Sequence, residues 1–203
     1  MTGTRDRILE SAQALVIDHG FASTTIDSVL AASGTSKGAF FHHFPSKAHL
    51  GRALVERYAA ADAELLESTM VRAEHEAEDP AAQLIAFVRA FEEMASVSTA
   101  EQPSCLFVSF IYEGELADAG TDALVRSSIL AWRNRILEKV EAAAARRPGF
   151  PPVDRSAVAD QFFTTVEGAF LLMRALGDVT RMGAQLAQYR LYLELLFASP
   201  VEG

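Results

Sequence analysis

Thiols are almost absent: Cys105 is the single cysteine among 203 residues. An internal disulfide is therefore excluded, and one thiolate cannot build a cysteine-rich metal cluster. Strand signals are nearly missing too, since no run alternates apolar and polar residues between turn dipeptides. No stretch approaches the roughly eighteen apolar residues that a bilayer-spanning helix needs. The segment from Met1 to Ile17 is amphipathic and carries acids, with neither the apolar centre nor the cleavage site of a secretory signal. A cytoplasmic protein with no membrane partner is expected. Catalytic signatures are equally lacking: there is no glycine-rich phosphate loop, no nucleophile elbow and no metal-ligand spacing. His42 and His43 are adjacent, so on a helix they point in different directions. The expectation is no enzyme, no metal and no cofactor.

Positive charge is also scarce, with 18 Lys and Arg against 27 Asp and Glu and a net charge of −9. The deficit is uneven. Residues 1–58 hold six basic and five acidic side chains, a net of +1, which leaves −10 for residues 59–203. Nucleic-acid affinity needs cations locally, at phosphates, while the rest of the molecule can stay acidic. Such an asymmetry suits a DNA-reading end attached to an acidic partner domain.

What is abundant is helical periodicity. Ile8, Leu9, Ala12, Leu15 and Val16 make one apolar face, and Gly20 stands where a C-terminal cap belongs, so a first helix is predicted over 4–19. Thr24 or Thr25 caps a second, short helix to about Ala32. Ser33-Gly34-Thr35 is a turn, Ser36 opens a third short helix to about His43, and Pro45 ends it. Ser46 then caps a long helix from Lys47 to about Glu76. Further helices are predicted over about 80–97, 121–146, 154–176 and 181–198. Ser98–Pro103 reads as a polar loop, 104–117 as an apolar segment ended by Gly120-Thr121, and Arg147–Pro152 as a loop.

Three helices, the last two short and joined by a glycine-containing turn, are a helix-turn-helix arrangement. The third is the recognition candidate, because its N-terminal residues would face base edges in a major groove. Thr35 and Ser36 offer hydroxyls, Lys37 a cation, and Gly38 allows close approach. Phe40 and Phe44 are spaced to pack inward, leaving Phe41 and His42 toward the sugar-phosphate side. Ser46 and Lys47, with the free N–H groups of the next helix, form a phosphate seat.

Residues 24–50, TTIDSVLAASGTSKGAFFHHFPSKAHL, together with RILESAQALVIDHGF upstream, resemble the DNA-binding motif of the TetR family of bacterial repressors. The later segments CLFVSF and EGAFLLMRAL resemble stretches in one branch of such regulators. The resemblance implies that Thr35, Ser36, Lys37 and Gly38 approach bases or nearby phosphates, and that Thr25, Phe41, His42 and Lys47 contact the backbone. Two departures stand out. Position 41 is usually tyrosine, whose hydroxyl bonds a phosphate, and Phe41 lacks that donor. A glutamate usual at position 48 or 49 is replaced by Ala48 and His49, so a capping box after Ser46 is not expected.

The implied protein is all-α: a helix-turn-helix head over 1–46 and a helical ligand-sensing and dimerisation domain over 47–203. Its expected partners are operator DNA, a small-molecule effector and a second copy of itself. The last two helices carry surplus apolar residues (Phe162, Phe163, Val166, Phe170 and Leu171; Leu186, Tyr189, Leu193, Leu196 and Phe197) and are the expected dimer seam. Phe107, Phe110, Ile111, Trp132, Phe163, Glu167 and Phe170 are the expected lining of an apolar effector cavity. Glu113 and Glu167 lie in apolar helices, where an unpaired carboxylate is costly; each is solvent-facing, paired, or a ligand anchor. Cys105, beside Leu106, Phe107 and Val108, is expected to be a buried structural thiol rather than a redox sensor. The expected function is a repressor released from a palindromic operator by a hydrophobic effector. The rival readings are an activator, a ligand-independent regulator, and a small-molecule-binding enzyme.

Overall fold

The ends of the helices are written in their flanking residues. A computed structural model describes residues 3–97, 105–113 and 119–198, and among these it has nine α-helices and no strand. Helix α1, Thr4–His19, stops at Gly20, whose φ of 84° suits glycine and whose N–H returns to the Val16 carbonyl. Helix α2, Ile26–Ser33, begins in a reciprocal cap: Thr25 Oγ1 accepts from Ser28 N and Ser28 Oγ accepts from Thr25 N, both at 3.0 Å. It ends at Gly34 in the left-handed region. Helix α3, Lys37–His43, is capped by Ser36 Oγ, which accepts from Ala39 N at 3.2 Å. Helix α4 runs Lys47–Glu76, and α5, Pro80–Val97, opens with proline where its missing N–H costs nothing.

Helix α6 covers only Leu106–Tyr112 of the apolar segment. Helix α7 spans Ala119–Ala145. Gly120 and Thr121 therefore do not break the chain as expected but form part of the first turn, where the backbone N–H groups lack intrahelical partners in any case. Helix α8, Arg155–Leu176, starts at Asp154, which accepts from Ser156 N and Ala157 N, and stops at Gly177. Helix α9, Arg181–Leu196, ends slightly before the expected residue 198. The expected loop over Ser98–Pro103 and the end of the apolar segment, 114–117, fall outside the described residues.

The chain forms two compact units. One comprises Met1–Asp62 and Pro103–Ser128, so it takes in α6 as well as the first three helices. There α1 packs on α2, α3 and α6. Its core holds Ile8, Leu9, Ala12, Val16, Phe21, Val29, Phe40, Phe44 and Phe110. Phe21 and Phe110 lie with ring centroids 4.8 Å apart, and Tyr58 meets Phe107 edge-on at 4.8 Å. Cys105 is buried in this unit, as a structural thiol would be.

The other unit comprises Ala63–Gln102 and Ile129–Gly203. Here α9 packs against α5 and α8. Its centre is aromatic: Trp132 and Phe162 stack at 5.4 Å, and Phe87 and Phe91 meet both of them at 5.1–6.1 Å. Arg147, 5% exposed, ties three helix ends together. Its guanidinium donates to Asp79 Oδ2 at 2.7 Å, to the Phe197 carbonyl at 3.1 Å and to the Ala143 carbonyl at 3.1 Å.

Candidate nucleic-acid interface

Helix α3 is held by its apolar side and leaves its opening turn bare. Phe40 and Phe44 are buried, as their spacing predicts, with ring centroids 5.8 Å apart. Ser36, Lys37 and Gly38 are exposed and Thr35 is half-exposed. Thr35 is anchored from behind, its Oγ1 lying 2.7 Å from Ser33 Oγ. Gly38 has nothing within 4 Å of where a Cβ would sit, so the backbone there is open to a close approach. Thr25, Phe41 and His42 are exposed as well, whereas His43 is half-buried. The free amide ends of α2 and α3, one hydroxyl cap at each and one ammonium together make a surface that can donate hydrogen bonds to anionic oxygen.

Lys47, expected at the phosphate backbone, is also held within the head. Its Nζ donates to the Ala22 carbonyl at 2.9 Å and lies 4.7 Å from the centroid of the Phe21 ring. Burial pulls its pKa below the ordinary lysine value, and the nearby Glu113 carboxylate works in the opposite direction. Glu113, at the C-terminal end of α6, accepts a short hydrogen bond from the Ala22 N–H. Of the alternatives open for this acid, it is paired, within this unit. At the start of α4, Ser46 Oγ accepts from His49 N and lies 2.8 Å from His49 Nδ1, a side-chain contact rather than the bond to the Ser46 N–H that a glutamate would make.

The expected effector lining is divided between the units. Phe107 and Phe110 are buried in the core of the first, and Ile111 beside them is 50% exposed. Trp132, Phe163, Glu167 and Phe170 belong to the second, where Glu167 and Phe170 are half-buried. Trp132 and Phe163 share an open concavity of about 250 Å³ with Ile129, Ile136, Ala159 and Thr164. Arg133 and Asp160 stand at the same concavity, joined by a two-pronged ion pair of 2.5 and 2.7 Å. Trp132 borders this concavity while its ring also packs on Phe87, Phe91 and Phe162.

Residues 8–54 match the family described as bacterial regulatory proteins, tetR family. Residues 80–189 match a tetracyclin repressor-like C-terminal domain. The transcriptional regulator AcuR of Cereibacter sphaeroides is 30% identical over 158 residues, covering 76% of this chain and 68% of AcuR. The chain belongs to the TetR family. The HTH-type transcriptional repressor AcnR of Corynebacterium glutamicum is 40% identical over 65 residues, 32% of this chain and 35% of AcnR. Among solved structures, a TetR-family regulator from Agrobacterium tumefaciens has a TM-score of 0.74 at 27% identity, covering 95% of this chain and 97% of that one. This TetR-family chain is thus a DNA-binding transcriptional regulator, and none of its described helices is long and apolar enough to cross a membrane.

The residues expected at a dimer seam on α8 and α9 differ in exposure. Phe162, Leu186, Tyr189, Leu193, Leu196 and Phe197 are buried in the core of the second unit. The apolar residues left outside are Leu171, Leu172 and Leu176 on α8 and Leu191 and Leu195 on α9. Along α9 the exposed positions Ala184, Gln188, Leu191 and Leu195 recur at spacings of four and three, the outward stripe of a packing helix. Of the other residues expected at the seam, Phe163, Val166 and Phe170 are half-buried and Leu171 is exposed.

Proposed function

We propose that this TetR-family regulator is a repressor that binds a palindromic operator as a homodimer and leaves it when a small effector binds. The observation that carries the DNA assignment is the bare opening turn of α3, where Thr35, Ser36, Lys37 and Gly38 stand clear of a helix fixed by buried Phe40 and Phe44. In this reading those four residues meet bases or adjacent phosphates, and Thr25, Phe41, His42 and the region of Lys47 meet the backbone. Two heads would enter successive major grooves about 34 Å apart.

The outer stripes of α8 and α9 form the dimer seam in this proposal, since leucines so exposed are costly in water and regularly spaced for helix packing. The effector site is the concavity beside Trp132, apolar in its walls and polar at the Arg133–Asp160 pair. Ligand binding there shifts the population toward a form that holds DNA less well.

The test is an anisotropy titration of duplexes flanking the gene, at several salt concentrations. Tight, salt-dependent binding to one palindrome is expected, and Lys37→Ala should both weaken it and change preference among operator variants. Binding equal to that of unrelated duplexes would remove the operator assignment. For the effector, hydrophobic compounds are screened by thermal shift with Trp132 emission as the second readout. A ligand at a hundred times its Kd contributes about 2.7 kcal/mol and must also release operator.

A further inference from the structure

Three separate features converge on the turn between α1 and α2. Glu113 Oε2 accepts from the Ala22 N–H, 91 residues away in the chain. Lys47 Nζ donates to the Ala22 carbonyl at 2.9 Å. A Cβ at Gly20 would stand 2.5 Å from Glu113 Oε1, so that glycine makes room for the carboxylate as well as ending α1. The turn leads directly into α2: Thr24 Oγ1 donates to the Gly20 carbonyl at 2.8 Å, and Thr25 is the α2 cap.

We propose that Glu113 is a positioning residue of the DNA interface, holding the α1–α2 turn from α6 so that Lys47 and the amino end of α2 are presented together to the phosphate backbone. Ala22 is exposed, so water would satisfy its N–H if the carboxylate were absent. The bond therefore adds little to global stability and instead selects one place for the turn. It acts through Lys47, because the same residue that Glu113 grips by its N–H is gripped by Lys47 at its carbonyl. The inference rests on the DNA-binding reading of this head.

The test uses the full chain and a long duplex at low salt, where non-specific binding is also measurable, followed by a salt series. Glu113→Ala is expected to weaken binding about fivefold to tenfold, because the turn must then be ordered when DNA binds. It should also lower the salt slope by up to about one, toward that of Lys47→Ala. Glu113→Gln keeps an acceptor oxygen and should bind within about twofold of the wild type. In a Lys47→Ala background, Glu113→Ala should add less than about twofold, since coupled residues are non-additive. Thermal unfolding of all variants should stay close to the wild type. Unchanged affinity in Glu113→Ala, an equal loss in Glu113→Gln, an undiminished loss in the Lys47→Ala background, or a parallel drop in thermal stability would each overturn the positioning role. Failure of the wild type to bind either duplex would instead overturn the DNA reading, and this inference with it.

Discussion

Gly51 sits inside the long helix α4, where glycine costs about 1 kcal/mol relative to alanine. Helix propensity alone would make Gly51→Ala a stabilising change. The tertiary surroundings reverse the sign: an added Cβ would lie 2.6 Å from Phe21 Cζ and 3.3 Å from Phe110 Cε1. Both rings are buried and face each other, so neither swings away freely. Gly51→Ala is therefore expected to destabilise by about 1–3 kcal/mol, measured by urea denaturation; a gain in stability would mean the rings yield. Lys37 is the opposite kind of residue, exposed and readable from sequence. Replacing it with alanine should lower the salt slope of DNA binding by about one, since one phosphate neutralisation goes with it. Glu113 lies between these cases. Its apolar neighbours marked it as needing a partner, but no local pattern could say that the partner was the Ala22 N–H.

Helix ends were the most legible feature, and the reason is range. A cap such as Ser36 on Ala39 N, or Thr25 on Ser28 N, involves residues within three positions of one another. Contacts that join distant helices were not legible, and Arg147 shows what they do. Its bonds to Asp79 and to two carbonyls pin the start of α5, the end of α7 and the segment after α9. Replacing Arg147 by methionine would strand Asp79 and the Phe197 carbonyl, at a cost of about 3 kcal/mol. The pair also carries a pH dependence. Hydrogen bonds from Arg147 hold the Asp79 carboxyl below its ordinary pKa. A depressed folded-state pKa means that the stabilisation is full above the unfolded value, about 3.9, and is lost as pH falls through the lower, folded one. Asp79→Asn should accordingly be less stable than the wild type at neutral pH, while losing less stability on acidification below about pH 4. Denaturation midpoints across that range give the answer, and parallel curves would remove Asp79 from the acid response.

Assembly turns on which leucines face out. Leu193 is 0% exposed and Leu195 is 69% exposed, two residues apart on the same helix. Leu195→Glu should abolish the proposed dimer and leave a folded monomer, whereas Leu193→Glu should unfold the protomer by burying a carboxylate in its core. Sedimentation and circular dichroism on both variants separate these outcomes, and a folded dimer carrying Leu195→Glu would move the interface elsewhere. The sequence by itself determined the all-helical class, most helix boundaries, the helix-turn-helix and the separation of a near-neutral head from an acidic remainder. Each of these follows from residues close together in the chain or from simple counts of charge. Only the tertiary structure decided that α6 belongs to the same compact unit as the head, that Lys47 holds Ala22, that Trp132 and Phe163 border one concavity with the Arg133–Asp160 pair, and which stripe of α9 is the outer one. Those depend on neighbours far away in sequence: α9 is apolar on more than one side, and only the packing of α5 and α8 against it selects the face that is hidden.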